Sequence, residues 1–304
     1  MTVVCCLLTF LLSLQNLIKS KSLSKMGEFW KRLLFGAMFV VIVLGSIILG
    51  RFSASLMLLL VVMLASKEIA NLFPHDQKKP LKGIVGFCSV MLYVFLSLFS
   101  ESPDSIEGRI FIAPIFFFMP LLIALFSKKH DYVSVIGASW LSMIFVAIPC
   151  GIMTMFYSEN IIGIDNGYIL LIFAFILIWV NDIFAYLTGS AIGRHKLCPR
   201  ISPKKTIEGS VGGTVFTMLF AYFINRFLLN VFFFDNLISN VEVLFLALGV
   251  VVFGTLGDLT ESMIKRHAGV KDSGNIIPGH GGILDRFDAT FMAMPFVFIY
   301  LLLI

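Results

Sequence analysis

Charge is what this chain has least of. Asp, Glu, Lys and Arg make up 13% of its 304 residues, about half the roughly 25% of a soluble domain. That scarcity excludes a disordered chain, a nucleic-acid-coating protein and an ordinary soluble enzyme. Cysteine is also sparse: Cys5, Cys6, Cys88, Cys150 and Cys198 show no C-x-x-C spacing, so neither a disulfide nor a zinc framework is read. There is no internal repeat. The apolar run 3–18 lacks the basic flank of a signal peptide. What the chain has instead is 59% hydrophobic residues, 32 of its residues being Phe, and a mean hydropathy of +0.97. These values define an all-α, polytopic integral membrane protein. Spans of about 20 residues consume most of the chain, so any chemistry belongs to the spans and their loops.

Apolar runs predict nine spans, at 33–50, 53–73, 84–100, 109–127, 133–156, 168–190, 210–230, 240–262 and 287–304. Residues 1–32 are read as an amino-terminal cytoplasmic or interfacial segment, with a start at Met26 as an alternative. With that segment inside, 20 of the 23 Lys and Arg residues fall on the inner side, and only Arg51, Arg109 and Arg226 outside. This asymmetry is the positive-inside pattern. The loops 101–108 and 157–167 are acidic and polar, as outer loops should be. Up to about residue 180 the interiors of the spans carry almost no ionisable residue, Glu68 near an inner end being the main exception. Residues 33–178 are therefore read as scaffold. Residues 179–304 are read as the catalytic region, with two long cytoplasmic loops, 191–209 and 263–286, forming the site.

At the inner end of the eighth span, Asp258, Glu261, Ser262 and Lys265 fall at i, i+3, i+4 and i+7, which is one helical face. A carboxylate in a span is costly and marks function, although an ion pair to Lys265 closing the helix end is an alternative. The loop that follows carries Gly279, Gly281 and Gly282, whose N–H groups suit an anion nest. Lys265, Arg266, Lys271 and Arg286 supply charge for phosphate. Asp285 and Asp288 supply the hard oxygens that Mg²⁺ prefers. Together they imply a metal-bound polyphosphate. The other inner loop interleaves Ser202, Thr206 and Glu208 with Lys204 and Lys205, just beyond Asn181 and Asp182. Two basic, hydroxyl-bearing loops on one membrane face could meet around one anionic substrate.

The runs Ser262-Met263-Ile264-Lys265-Arg266, Lys271-Asp272, Pro278-Gly279-His280-Gly281-Gly282 and Leu284-Asp285-Arg286-Phe287-Asp288 resemble the signature of phosphatidate cytidylyltransferases (CDP-diacylglycerol synthases). Asp182-Ile183-Phe184-Ala185-Tyr186 and Ser202-Pro203-Lys204-Lys205-Thr206-Ile207-Glu208-Gly209 are similar to that family's second stretch. Ile207 departs from a usual aromatic, and Asn181 from a position often small. The first 170 residues match only in hydrophobicity.

The resemblance implies that CTP and phosphatidic acid give CDP-diacylglycerol and pyrophosphate in phospholipid biosynthesis. It implies Mg²⁺, with a second cation such as K⁺ left open, held by Asp258 and Asp285, with Asp182 and Asp288 as further candidates. Asp258, Lys265, Asp285 and Arg286 are the expected catalytic set. Ser202, Lys204, Lys205, Thr206, Glu208, Ser262, Arg266, Lys271, Asp272, His280, Gly281 and Gly282 are the expected substrate contacts. Lys265, Lys271, His280 and Arg286 are assigned mainly to nucleotide phosphates, and Lys204 and Lys205 to phosphatidate or to a bridge between both substrates. Expected partners are CTP, phosphatidate and membrane lipid, with no nucleic acid and a homodimer left open. In a bacterium the location would be the inner membrane, with the site cytoplasmic. The alternative is a CTP-dependent lipid kinase of polyprenol or phytol type. A transporter would want midplane charges and repeats, which are absent.

Overall fold

The computed structural model describes residues 28–73, 78–99, 113–126, 132–158, 166–229, 238–276 and 281–304. The segment 1–27, the loop 101–108, most of 157–167 and His280 lie outside them. The described residues form nine helices: α1 Glu28–Ile48, α2 Arg51–Leu72, α3 Lys78–Phe99, α4 Ala113–Phe126, α5 Tyr132–Met155, α6 Tyr168–Ile192, α7 Ile207–Leu229, α8 Asn240–His267 and α9 Leu284–Leu303. Six of them (α2, α5, α6, α7, α8 and α9) are long and apolar enough to cross a membrane. The others hold shorter apolar runs, Leu34–Ile48, Lys82–Leu98 and Pro114–Phe126. A helix satisfies most of its backbone polar groups internally, as a hydrocarbon medium demands.

Two boundaries differ from the sequence expectation, and both bear on the site. Helix α8 continues to His267, and α9 already begins at Leu284. The polar residues of the second loop's ends thus ride on helix ends. The segment 191–209 holds an antiparallel hairpin, β1 Lys196–Cys198 and β2 Ser202–Thr206, with Lys196 opposite Thr206 and Cys198 opposite Ser202. Apolar alternation does not announce these strands, because Pro203 and Lys204 face outward.

Packing follows membrane rules, in which small residues let backbones approach and polar side chains act as glue. Helices α6 and α7 meet through Gly189 against Gly209, Gly212 against Thr188 and Gly213 against Asn181. Helices α8 and α9 meet at Gly249 against Phe296, and at Gly257 against the Asp288 carbonyl. Ser89 donates to Ser142 (2.8 Å), which donates to Ser66 (2.9 Å), tying α3, α5 and α2 together. In α5 the helix widens to a π turn at Met143–Ala147. Pro149 lacks an N–H, and a proline ring in a regular helix would clash with the carbonyl four residues back, so the ladder adjusts there.

Aromatic rings hold the start of α9. Phe287 is fully buried, edge-on to Phe39 of α1 (5.5 Å) and Phe175 of α6 (6.3 Å), and stacked on Phe291 (5.9 Å). Helix α7, by contrast, exposes Val215, Phe216, Leu219 and Phe223. Such a surface suits lipid rather than water.

Gly257 abuts backbone, whereas the nearest neighbour of a methyl at Gly254 would be Ala289 at 3.7 Å. Gly257→Ala should therefore destabilise the purified protein by about 1–3 kcal/mol through overpacking, and Gly254→Ala far less. Thermal unfolding in detergent checks the pair.

Candidate active site

The end of the helix bundle that holds the hairpin gathers ionisable side chains from four helices that are otherwise apolar. The hairpin is set first. Thr206 is the N-cap of α7, its hydroxyl accepting from the Gly209 N–H at 3.2 Å. Glu208 accepts from the Arg194 N–H (3.0 Å) and the His195 N–H (3.1 Å) and meets His195 Nδ1 at 2.6 Å. Arg266 donates from Nε to the Ile201 carbonyl (3.3 Å) and from its guanidinium to the Val270 carbonyl (3.1 Å), fastening the hairpin turn to the end of α8. These groups place Lys205, whose ammonium is ion-paired with Asp258. Asp258 also accepts from Ser262, one turn on, at 3.3 Å. Asp182 of α6 and Asp288 of α9 lie within electrostatic reach of Asp258, and Arg286 within reach of Asp182.

A second group lies deeper. Lys265, 8% exposed, sits between Glu261 Oε2 at 2.5 Å and Asp285 Oδ1 at 2.6 Å. The Glu261 contact is the i,i+4 ion pair of a helix end, one of the alternatives the sequence allowed; Asp258 pairs with Lys205 instead. The other oxygen of Asp285 accepts from the Gly282 N–H (2.7 Å) and from the Ser273 N–H and hydroxyl (both 3.0 Å). Ser273 in turn reaches Glu68 of α2 at 3.0 Å.

The structure thus brings together Asp182, Lys205, Asp258, Ser262, Lys265, Asp285, Arg286 and Asp288. Lys204, Lys271, Asp272 and Arg286 are exposed around this group, Ser202 is half-buried in β2, and Gly281 adopts a left-handed φ of 82° beside Asp285. The Gly282 N–H, assigned above to an anion nest, is engaged by Asp285. Thr206, Glu208 and Arg266 are engaged in local structure. Of the site residues, Ser273 is the one the sequence did not single out; Glu261 stood on the shared helical face without an assigned role, and Glu68 was not placed at the site. Glu68 did carry a signal, as an ionisable residue in an apolar span.

The charge balance shows what this end can hold. Six carboxylates (Glu68, Asp182, Asp258, Glu261, Asp285, Asp288) face Lys205 and Lys265, with Lys204, Lys271, Asp272 and Arg286 exposed around them, so carboxylates outnumber cations seven to five. Among the described residues no three His, Cys, Asp or Glu side chains are already grouped to hold a metal ion. The surplus of hard oxygens over cations is nevertheless the chemistry a divalent cation such as Mg²⁺ fits.

Residues 30–304 match the model of the Cytidylyltransferase family. The phosphatidate cytidylyltransferase of Bacillus subtilis (strain 168) is 31% identical over 281 residues, covering 91% of this chain and 99% of that protein. That of Staphylococcus haemolyticus is 33% identical over 266 residues, 86% and 95% of the two chains. That of Staphylococcus aureus (strain COL) is 44% identical over 153 residues, 50% and 55% of the two. This chain belongs to the cytidylyltransferase family.

Lys265 is the sole cation bonded to Glu261 and Asp285 among the described residues. Lys265→Met should cost about 3–5 kcal/mol, because it leaves buried charge uncompensated. Adding Glu261→Gln should recover part of that loss. Thermal unfolding of the single and double variants measures both.

Proposed function

We propose that this chain is a phosphatidate cytidylyltransferase, transferring the cytidylyl group of CTP to phosphatidic acid in phospholipid synthesis. The observation that carries the reading is the carboxylate surplus, interleaved with lysines, at one end of a bundle of membrane-length helices. It accords with relatives of that name along nearly the whole chain. The site faces the cytoplasm, as the 20-to-3 basic asymmetry argues, and all nine helices cross the membrane. In a bacterium that membrane is the inner one.

The reaction forms one bond and breaks one. A phosphate oxygen of phosphatidate attacks the α-phosphorus of CTP, and the bond from that phosphorus to the α–β bridging oxygen breaks. CDP-diacylglycerol and pyrophosphate result. Phosphatidate is already an oxyanion near neutral pH, so the chain needs no Ser-His-Asp system. The difficulty is repulsion: like charges about 4 Å apart repel by roughly 1 kcal/mol in water and several times more in a drier site. A divalent cation such as Mg²⁺, when bound, supplies charge that offsets this repulsion and steadies the leaving group.

In the structure, lysines and aspartates neutralise each other in pairs, Lys205 with Asp258 and Lys265 with Asp285. On binding the substrates, Lys205 and Lys265 exchange a carboxylate for a phosphate oxygen. Asp258 and Asp285 would hold the cation, with Asp182 and Asp288 beside them as further donors. Exposed Lys271 and Arg286 reach the nucleotide phosphates. Lys204 and Lys205, on the hairpin next to lipid-facing α7, reach the phosphatidate headgroup. Helices α6 to α9 are the catalytic region, and α1 to α5 its support.

CTP labelled at one phosphorus at a time separates this reading from a CTP-dependent lipid kinase. With purified protein, phosphatidate and Mg²⁺, α-labelled CTP should label the lipid and γ-label should leave as pyrophosphate. Label from the γ-position in lipid would overturn the assignment.

A further inference from the structure

The support helix α2 contributes one carboxylate to the site, and its position is specific. Its buried stripe runs Ala54, Leu58, Val61, Ala65, Glu68, Leu72 at helical spacing. Glu68 occupies a core position of that stripe and is 2% exposed, while neighbouring Lys67 is exposed. Its Oε1 accepts from the Ile283 N–H at 3.0 Å, and its Oε2 from the Leu284 N–H at 2.8 Å and the Ser273 hydroxyl at 3.0 Å.

Those two N–H groups open α9. A helix start leaves such donors without intrahelical partners, and Ile283, the N-cap here, has no side-chain cap of its own. Glu68, more than two hundred residues earlier in the chain, provides the cap. The backbone has been shaped to admit it. A Cβ at Gly274 would lie 2.5 Å from Glu68 Oε1, with only Glu68 atoms nearest it, and one at Gly282 would collide with both Glu68 and Ser273. Two glycines of the loop are thus accounted for by this carboxylate. With the Gly282 N–H taken by Asp285, three successive N–H groups, at 282, 283 and 284, are held by the chain's own carboxylates.

We infer that Glu68 is a positioning residue of the transferase. It fixes the first turn of α9, and hence Asp285, Arg286 and Asp288, against the bundle. The inference rests on the proposed transferase reading. Because Glu68 reaches the reactants only through α9 and Ser273, its loss acts on turnover rather than on substrate affinity. An error of about 1 Å in reacting geometry costs on the order of a hundredfold.

The test uses full-length protein in phosphatidate-containing micelles. Glu68→Ala should lower kcat about tenfold or more while KM for CTP and for phosphatidate each move less than about threefold. Sodium formate, small enough to enter the vacated space, should restore part of kcat in Glu68→Ala and none in Glu68→Leu. Gly274→Ala should lower kcat when Glu68 is present and have little further effect in Glu68→Ala, because the colliding carboxylate is gone. Should Glu68→Ala fail to fold, Gly274→Ala with its kcat and KM still decides. Unchanged kcat in Glu68→Ala or in Gly274→Ala, a loss confined to KM, or an absence of formate rescue would each overturn the inference. An inactive wild type with these substrates would instead overturn the transferase reading.

Discussion

The ammonium of Lys265 held between Glu261 and Asp285 is the contact on which this end of the molecule depends. Bringing charge into a membrane-embedded bundle is expensive unless it is paired and hydrogen-bonded. Lys265 joins the two halves of the problem, since Glu261 is on its own helix and Asp285 opens the next. Asp285 passes the constraint onward to Ser273 and Gly282, and Ser273 to Glu68 on α2. A continuous line of polar contacts thus runs from α8 through the start of α9 to α2.

The more open half obeys the same rule less completely. Lys205 neutralises Asp258, but Asp182 and Asp288 stand near that pair without direct cationic partners of their own in the described contacts. A ligand that is itself a cation joined to a polyanion would answer both deficits together, which is the chemistry the proposed reading calls for.

Much of this was legible in the sequence, for reasons of period and cost. Apolar runs of span length cannot hide, and each of the nine expected runs overlaps a helix. The face shared by Asp258, Glu261, Ser262 and Lys265 follows from helical spacing, as does the pair Glu261–Lys265. Other features were out of reach. Thr206 and Glu208 looked like substrate contacts because hydroxyls and acids among lysines do. Their work as cap and turn acceptor shows only once a hairpin precedes α7, and Pro199 and Pro203 disguised that hairpin. Glu68 was visible as an anomaly in its span. Its partners, the backbone N–H groups of residues 283 and 284, have no side-chain signature at all, so only the fold could connect them.

The central claim is that the carboxylate surplus is made good by a divalent cation arriving with the nucleotide. Isothermal titration of CTP into the detergent-solubilised protein, with Mg²⁺ and then with chelator, tests it most directly. Affinity should weaken by about tenfold or more without the cation, equivalent to at least 1.4 kcal/mol of binding free energy. Equal affinity in chelator would contradict the account.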